Sequence, residues 1–288
     1  MNFRRQQAGQ QGSCLEKWIV VTDLDGTLLD RSYDLALAAA ALNQIISNWP
    51  WIQEIVLATS KTLSELQPFT RQLTRAPILI YENGAGYAQP LAVSNQHSLT
   101  EYTNHDQGLS YTAIRETLAR LRRRGGFDFL GFGDISPTAL SALTGLSTVQ
   151  AWNAQQRRAS EPLQWLGSEE RLEAFRTALV DEGLTLVRGG QFHHVSSACD
   201  KWITLQAWRE QNLPDAKVLA CGDAPNDQQL LTRANQAVVF PDADGSYLLA
   251  AGAKVRHAAV HGPSGWLHEV TRVLADLSVQ QTPQGTTL

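Results

Sequence analysis

Short, β-branched apolar runs recur along the chain, and four of them close on polar residues. Residues 18–21 run into Thr22-Asp23-Leu24-Asp25-Gly26-Thr27, and residues 52–58 into Thr59-Ser60-Lys61-Thr62. Residues 77–81 close on Glu82-Asn83-Gly84, and residues 217–221 on Gly222-Asp223-Ala224-Pro225-Asn226-Asp227. Runs of this length bounded by turn signals predict buried strands. Helical stretches lie between them. Residues 34–48 are rich in Ala and Leu with no breaker, and Ser64 opens a second helix that is interrupted or ended near Pro68. Residues 200–211 and 228–234 read as further helices, 237–240 as a short strand, and 266–277 as a last helix after the turn Pro263-Ser264-Gly265. Strand and helix alternating at this spacing predict a parallel sheet with crossover helices.

The middle third has a different texture. Strand-like pieces at 97–103 and 127–132 alternate with helices at 110–124, 147–158 and 168–182. Ser168 is placed as N-cap of the last of these, and Glu169 and Glu170 suit its first turn. Residues 184–188 and 191–196 read as strands paired around Gly189-Gly190. The expected organisation is an α/β core over 15–83 and 198–278, with an α+β module inserted at 84–197. A disordered lead-in at 1–14 and a flexible tail at 279–288 flank it.

Composition agrees with this picture and narrows the partners. A hydrophobic content of 43% and a charged content of 18% over 288 residues describe a globular protein with a sizeable core. A net charge of −4 gives no reason to expect nucleic acid or an anionic membrane as partner. The triplet Arg122-Arg123-Arg124 ends a predicted helix, where cations complement the dipole. No stretch is long and apolar enough to span a bilayer, and no apolar segment follows Arg4-Arg5 to make a secretory signal. Cys14, Cys199 and Cys221 lack metal or disulfide spacing, which suits a reducing cytoplasm. Oligomeric state is not legible.

Candidate chemistry gathers at the strand ends. Residues i and i+2 of a strand point the same way, so Asp23 and Asp25 emerge together at its carboxyl end, where open α/β sheets bind ligands. Taken alone, Asp-x-Asp-Gly reads equally as an Asx turn. The other ends offer Thr59 and Ser60, then Asp223, Asn226 and Asp227, and a helix start offers Lys201. Carboxylates with one ammonium and hydroxyls suit phosphoryl transfer around Mg²⁺, which takes oxygen ligands from a few carboxylates and substrate phosphate. An aspartate can attack phosphorus, and a second carboxylate can exchange protons with leaving group and water.

The motifs, in this order, resemble those of the haloacid dehalogenase-like (HAD) hydrolase superfamily. Asp23-Leu24-Asp25-Gly26-Thr27 is similar to its first motif, Thr59 to the second, Lys201 to the third, and Gly222-Asp223 with Asn226-Asp227 to the fourth. The resemblance implies a Rossmann-like core with a type C2 cap, Asp23 as nucleophile and Asp25 as general acid/base. It implies phosphate held by Thr59, Ser60 and Lys201. Mg²⁺ would be held by Asp23, the backbone carbonyl of Asp25 and Asp223, with Asn226 and Asp227 acting from the same loop.

A narrower resemblance, to the mannosyl-3-phosphoglycerate phosphatase family, rests on several further motifs. These are Thr59-Ser60-Lys61-Thr62, Glu82-Asn83-Gly84, Gly131-Phe132-Gly133-Asp134 and Thr144-Gly145-Leu146. Arg157 with Ser160-Glu161-Pro162, and Phe192 with His194 before Asp200-Lys201, complete the set. It implies a small phosphorylated sugar/glycerate substrate contacted by Glu82, Asn83, Gly84, Arg157, Ser160 and His194, and mannosylglycerate, a compatible solute, as product. Arg157 would pair with the glycerate carboxylate, and Ser160 and His194 with sugar hydroxyls. Arg158, Ala159, Gln191, Cys199 and Trp202 depart from the family pattern. They leave open a glucosyl-3-phosphoglycerate or another sugar phosphate as substrate; a phosphomutase with the same core and a similar cap is a separate alternative.

Overall fold

The computed structural model describes residues 16–30, 33–91, 101–189, 192–242 and 244–281. The expected lead-in, most of the tail, part of the strand expected at 97–103 and the Gly190-Gln191 turn lie outside the described residues.

Among the described residues six of the eight strands in the main sheet are parallel: β1 (Trp18–Thr22), β2 (Ile52–Ala58), β3 (Ile78–Tyr81), β10 (Lys217–Gly222), β11 (Gln236–Val239) and β12 (Val255–His257). The order is β12-β11-β10-β1-β2-β3, extended by two antiparallel strands, β4 (Gly86–Pro90) and β5 (Tyr102–Asp106). Alternate residues of β1 feed two hydrophobic cores, which explains its uninterrupted apolar run. Trp18 and Val20 pack with α1 (Leu35–Asn48) and α9 (Pro263–Gln281); Ile19 and Val21 pack with α7 (Lys201–Asn212) and α8 (Gln228–Arg233). Asp34 caps α1 by accepting from the amides of Ala36 and Leu37. Thr62, not Ser64, caps α2 (Leu63–Thr70) in a capping box with Glu65. The helix runs through Pro68 because buried Leu66 and Phe69 anchor the turns on either side.

The sheet continues past the expected division at residue 84. Gly86-Tyr87-Ala88-Gln89-Pro90 has no strand-like composition, yet Tyr87 and Ala88 are buried and pair with β3. The chain pairs in a separate sheet only from β6 (Phe129–Gly131), which joins β7 (Ser160–Trp165), β9 (His193–Ser197) and β8 (Leu184–Arg188) in an antiparallel order β6-β7-β9-β8. One face carries α3 (Tyr111–Gly125) and α6 (Glu169–Asp181), with Ile114, Phe175, Leu179 and Val195 at the centre of their common core. A smaller core around Phe132 holds α4 (Pro137–Thr144) and α5 (Thr148–Ala154). The helix expected over 147–158 stops at Ala154, where Arg157 Nε donates to the Ala154 carbonyl and the chain turns towards the main sheet. Among the described residues no helix is long and apolar enough to cross a membrane.

Candidate active site

The backbone amide of Asp23 donates to the Cys221 carbonyl at 2.9 Å, one step beyond the last paired residues of β1 and β10. This sets the Asp23 carboxylate beside the loop that leaves β10. Lys201, the first residue of α7, is buried, and its Nζ reaches Asp23 Oδ1 and Asp227 Oδ1, each at 2.6 Å. The other Asp227 oxygen accepts from the amides of Asp223 and Ala224 at 3.2 Å, which shapes the turn 223–227. Thr27 Oγ1 donates to Asp223 Oδ1 at 2.8 Å. Gly26, at φ 83°, presses its backbone so closely on Asp223 that a Cβ would overlap that carboxylate.

The charges in this cluster do not balance. Oxygens of Asp23, Asp223 and Asp227 lie within 4.8 Å of one another, against the single Lys201 ammonium. Burial pushes the Asp23 carboxyl well above the usual carboxylate range. Burial, then the charge of Asp227, lifts Asp223 to about 7, despite the Thr27 hydroxyl. For Lys201 burial opposes the charge, but Asp227 and Asp23 outweigh it and hold the ammonium above its ordinary value. An all-oxygen donor set with excess negative charge fits a hard divalent cation. Of the expected ligands, the carboxylates of Asp23, Asp223 and Asp227 converge. Asn226 instead donates its amide to Asn83 Oδ1 at 2.9 Å.

A stability profile follows from Asp223. Its pKa is higher in the folded chain than the ordinary 3.8, so between the two values the folded state binds more protons than the unfolded one. Metal-free protein is therefore expected to lose this contribution as pH rises towards about 7, and Mg²⁺ is expected to stabilise most at the upper end. Thermal unfolding from pH 5 to 8, with Mg²⁺ or with a chelator, checks this; a Mg²⁺ effect that does not grow with pH would contradict it.

Asp25 points away from that cluster. Its Oδ1 accepts from the Tyr33 hydroxyl at 2.5 Å, and Lys61 Nζ lies 2.9 Å from its Oδ2. Lys61 also sits over the Tyr33 ring, 4.9 Å from the centroid. Burial disfavours the Lys61 charge, but Asp25 more than offsets this. Lys61 stood in a recognised motif without a role, and Tyr33 has no periodic or motif signal at all. Thr59 is buried with Oγ1 accepting the Lys61 amide at 3.3 Å, and Ser60 reaches the adjoining cavity.

That cavity, about 680 Å³, lies between the main sheet's carboxyl edge and the inserted module. Asp23, Asp25, Lys61 and Asp223 line one side; Phe132, Gln150, Phe192 and His194 line the other. Phe132 and Phe192 meet edge to face at 4.9 Å. Among the described residues His194 Nδ1 is buried without a partner, and burial followed by the charge of Arg157 lowers its pKa to about 3, so the ring is neutral. Arg157 lines the cavity too, but its Nη1 donates to the Ser60 carbonyl at 2.8 Å, tying α5 to the 59–62 loop. Thr62 Oγ1 adds a second tie, to the Asn153 carbonyl at 2.8 Å.

Three residues expected at the substrate have other neighbours. Glu82 and Ser160 are buried against each other, with Ser160 Oγ donating to Glu82 Oε2 at 2.7 Å. Gly84, at φ 95°, packs on the Asp200–Lys201 backbone, where a Cβ would overlap the Asp200 carbonyl. The departure at Arg158 also has a structural reason: its guanidinium holds Asp106 through two bonds, at 2.7 and 2.6 Å.

No family model matches the chain. A glucosyl-3-phosphoglycerate/mannosyl-3-phosphoglycerate phosphatase from Methanococcoides burtonii is 31% identical over 270 residues, covering 87% of this chain and 94% of that protein. A haloacid dehalogenase-like hydrolase from Bacteroides thetaiotaomicron superposes with a TM-score of 0.61 at 15% identity, over 90% of this chain and all of that one. A phosphatase of the haloalkanoate (HAD) superfamily from the same organism gives a TM-score of 0.58 at 15% identity, over 94% of this chain and 99% of that one. With its motifs at the carboxyl edge of a parallel sheet and this degree of identity over most of its length, the chain belongs to the mannosyl-3-phosphoglycerate phosphatase family of the HAD hydrolases.

Proposed function

We propose that the protein is a Mg²⁺-dependent cytoplasmic phosphatase that hydrolyses the phosphate monoester of a glycosyl-3-phosphoglycerate, the mannosyl compound foremost. The observation that carries this is the buried Asp23–Lys201–Asp227 arrangement beside Asp223, at the floor of the cavity beneath the inserted cap. Asp23, Asp223 and Asp227 would hold Mg²⁺, with the backbone carbonyl of Asp25 and Asn226 as further oxygen donors on the same loops. Bound there, the ion would supply positive charge to phosphate oxygens.

An Asp23 oxygen attacks phosphorus, and the bond from phosphorus to the glycerate oxygen breaks. Asp25 gives the leaving oxygen its proton, then takes one from the water that cleaves the aspartyl-phosphate. Lys201 holds the attacking carboxylate in place, and Thr59, Ser60 and Lys201 bind the remaining phosphate oxygens. Lys61 and Tyr33 orient Asp25 between them.

The cavity's two walls suit the two ends of the substrate. Phe132 and Phe192 offer an apolar face to a sugar ring, with neutral His194 and Gln150 for its hydroxyls. Arg157 uses Nε and Nη1 on the Ala154 and Ser60 carbonyls, and its Nη2 lies 3.9 Å from Glu65 Oε2, so the glycerate carboxylate would share Nη2 with Glu65 and take Lys61 as its second partner. Specificity constants on mannosyl-3-phosphoglycerate, glucosyl-3-phosphoglycerate and a hexose 6-phosphate test the reading. The expectation is a preference of about a hundredfold or more for the glycerate esters, the scale set by an unpaired buried polar group. Equal values on all three would sink the substrate assignment. Phosphate release without a bisphosphate activator separates it from a phosphomutase.

A further inference from the structure

The turn 82–84 combines two uncommon conformations with an unusual set of neighbours. Glu82 (φ 51°) and Asn83 (φ 60°) are consecutive left-handed residues, and neither is glycine. Such conformations persist where the surroundings over-determine them, and they cluster at functional sites. Here the Glu82 amide donates to the Lys61 carbonyl at 3.0 Å and the Asn83 amide to the Thr59 carbonyl at 2.9 Å, so the phosphate-binding loop fixes the backbone.

The side chains then reach in opposite directions. The Glu82 carboxylate is fully buried and accepts three bonds, all from the cap's approach to β7: Arg158 N at 2.8 Å, Ala159 N at 3.1 Å and Ser160 Oγ at 2.7 Å. Asn83 Oδ1 accepts from Asn226 Nδ2, in the loop that carries Asp223 and Asp227. The Gly84 carbonyl accepts from Thr204 Oγ1 at 2.5 Å, on the helix that begins with Lys201. One turn thus touches the phosphate loop, the cap, the acidic loop and the Lys201 helix.

We infer that Asn83 is a positioning residue for the 223–227 loop, and that Glu82 ties its conformation to the cap, so cap contact and divalent-cation affinity are coupled through these two side chains. The inference rests on the reading of Asp223 and Asp227 as ligands. Coupling of this kind is reciprocal: what the cap does to the cation site, the cation does to the cap contact.

Mg²⁺ titrated calorimetrically into the substrate-free full chain tests it, alongside hydrogen exchange of the Arg158 and Ala159 amides. Asn83→Gly keeps a left-handed backbone accessible while removing the amide, so the fold is retained. It is expected to weaken Mg²⁺ binding by about three- to tenfold, the worth of one hydrogen bond. Ser160→Ala, on the cap side, is expected to weaken it by about threefold in the natural background and not at all in the Asn83→Gly background. Mg²⁺ should slow exchange at Arg158 and Ala159 in the natural protein but not in Asn83→Gly. A merely structural role for the turn would lower thermal stability and leave Mg²⁺ affinity where it was. Unchanged affinity in both variants, with Asp223→Asn abolishing binding, overturns the coupling alone; unchanged affinity in Asp223→Asn as well overturns the cation site and the coupling with it.

Discussion

Asp23→Asn is expected to cut phosphate release by about ten-thousandfold or more, the scale seen when a nucleophilic unit loses a member, while leaving the protein folded. The two halves of this expectation have separate origins. Activity goes because the amide oxygen is a poor nucleophile and cannot form the aspartyl-phosphate. The fold stays because burial makes the Asp23 charge costly in the first place. An asparagine still offers Lys201 one acceptor, and Asp227 still pairs with it at 2.6 Å. Thermal stability of the metal-free variant should equal or exceed that of the natural protein. Steady-state phosphate release and a melting curve from one preparation decide the matter: residual turnover near the natural value would refute the nucleophile assignment.

Lys201→Met should do what Asp23→Asn does not, and damage the fold. Its removal leaves Asp23 and Asp227 buried with no cation between them. Breaking one side of a buried charge pair costs about 3–5 kcal/mol, because the partner's charge remains without compensation. Urea unfolding of the metal-free variant is expected to show a loss of that order, with activity lost as well. Millimolar Mg²⁺ should restore part of the stability, since it supplies positive charge to the same oxygens. A loss below about 1 kcal/mol, in the range of an exposed pair, would show that the ammonium is not what keeps these carboxylates together.

The parts of the site that could be read from the sequence are those fixed by local periodicity. An apolar run ending in Asp23-Leu24-Asp25 specifies a strand end with two carboxylates, and the same holds for the loop beginning at Asp223. Asp23 and Asp223 follow the ends of β1 and β10 and meet there, whereas Asp25, beyond the end of β1, does not emerge beside Asp23 but pairs with Tyr33 and Lys61. What sequence could not show is which distant groups meet. Glu82 and Ser160 are 78 positions apart, and nothing local says that they satisfy each other instead of a ligand. Tyr33 carries no signal because its role comes only from its hydrogen bond to Asp25, which no local pattern encodes. The strand Gly86–Pro90 lacks β-branched residues, and its pairing with β3 comes from tertiary packing of Tyr87 and Ala88 rather than from propensity. Arg158 departs from the family pattern, and the partner that accounts for it, Asp106, lies 52 positions away.

The strand order has a consequence for how the chain acquires its structure. β1 has β2 on one side and β10 on the other, and Trp18 pairs with Lys217. During synthesis the first five strands emerge with one flank of β1 still unfilled. The strands of the cap, by contrast, find all their sheet partners between Phe129 and Ser197. The cap can therefore mature first, while β1 waits as a bare apolar edge of a half-built sheet, the kind of surface that invites aggregation. Insertion of β10 is then the long-range closure expected to limit the rate of folding, and the same event carries Asp223 and Asp227 to Asp23. The three carboxylates that could hold a cation meet only when that closure is complete.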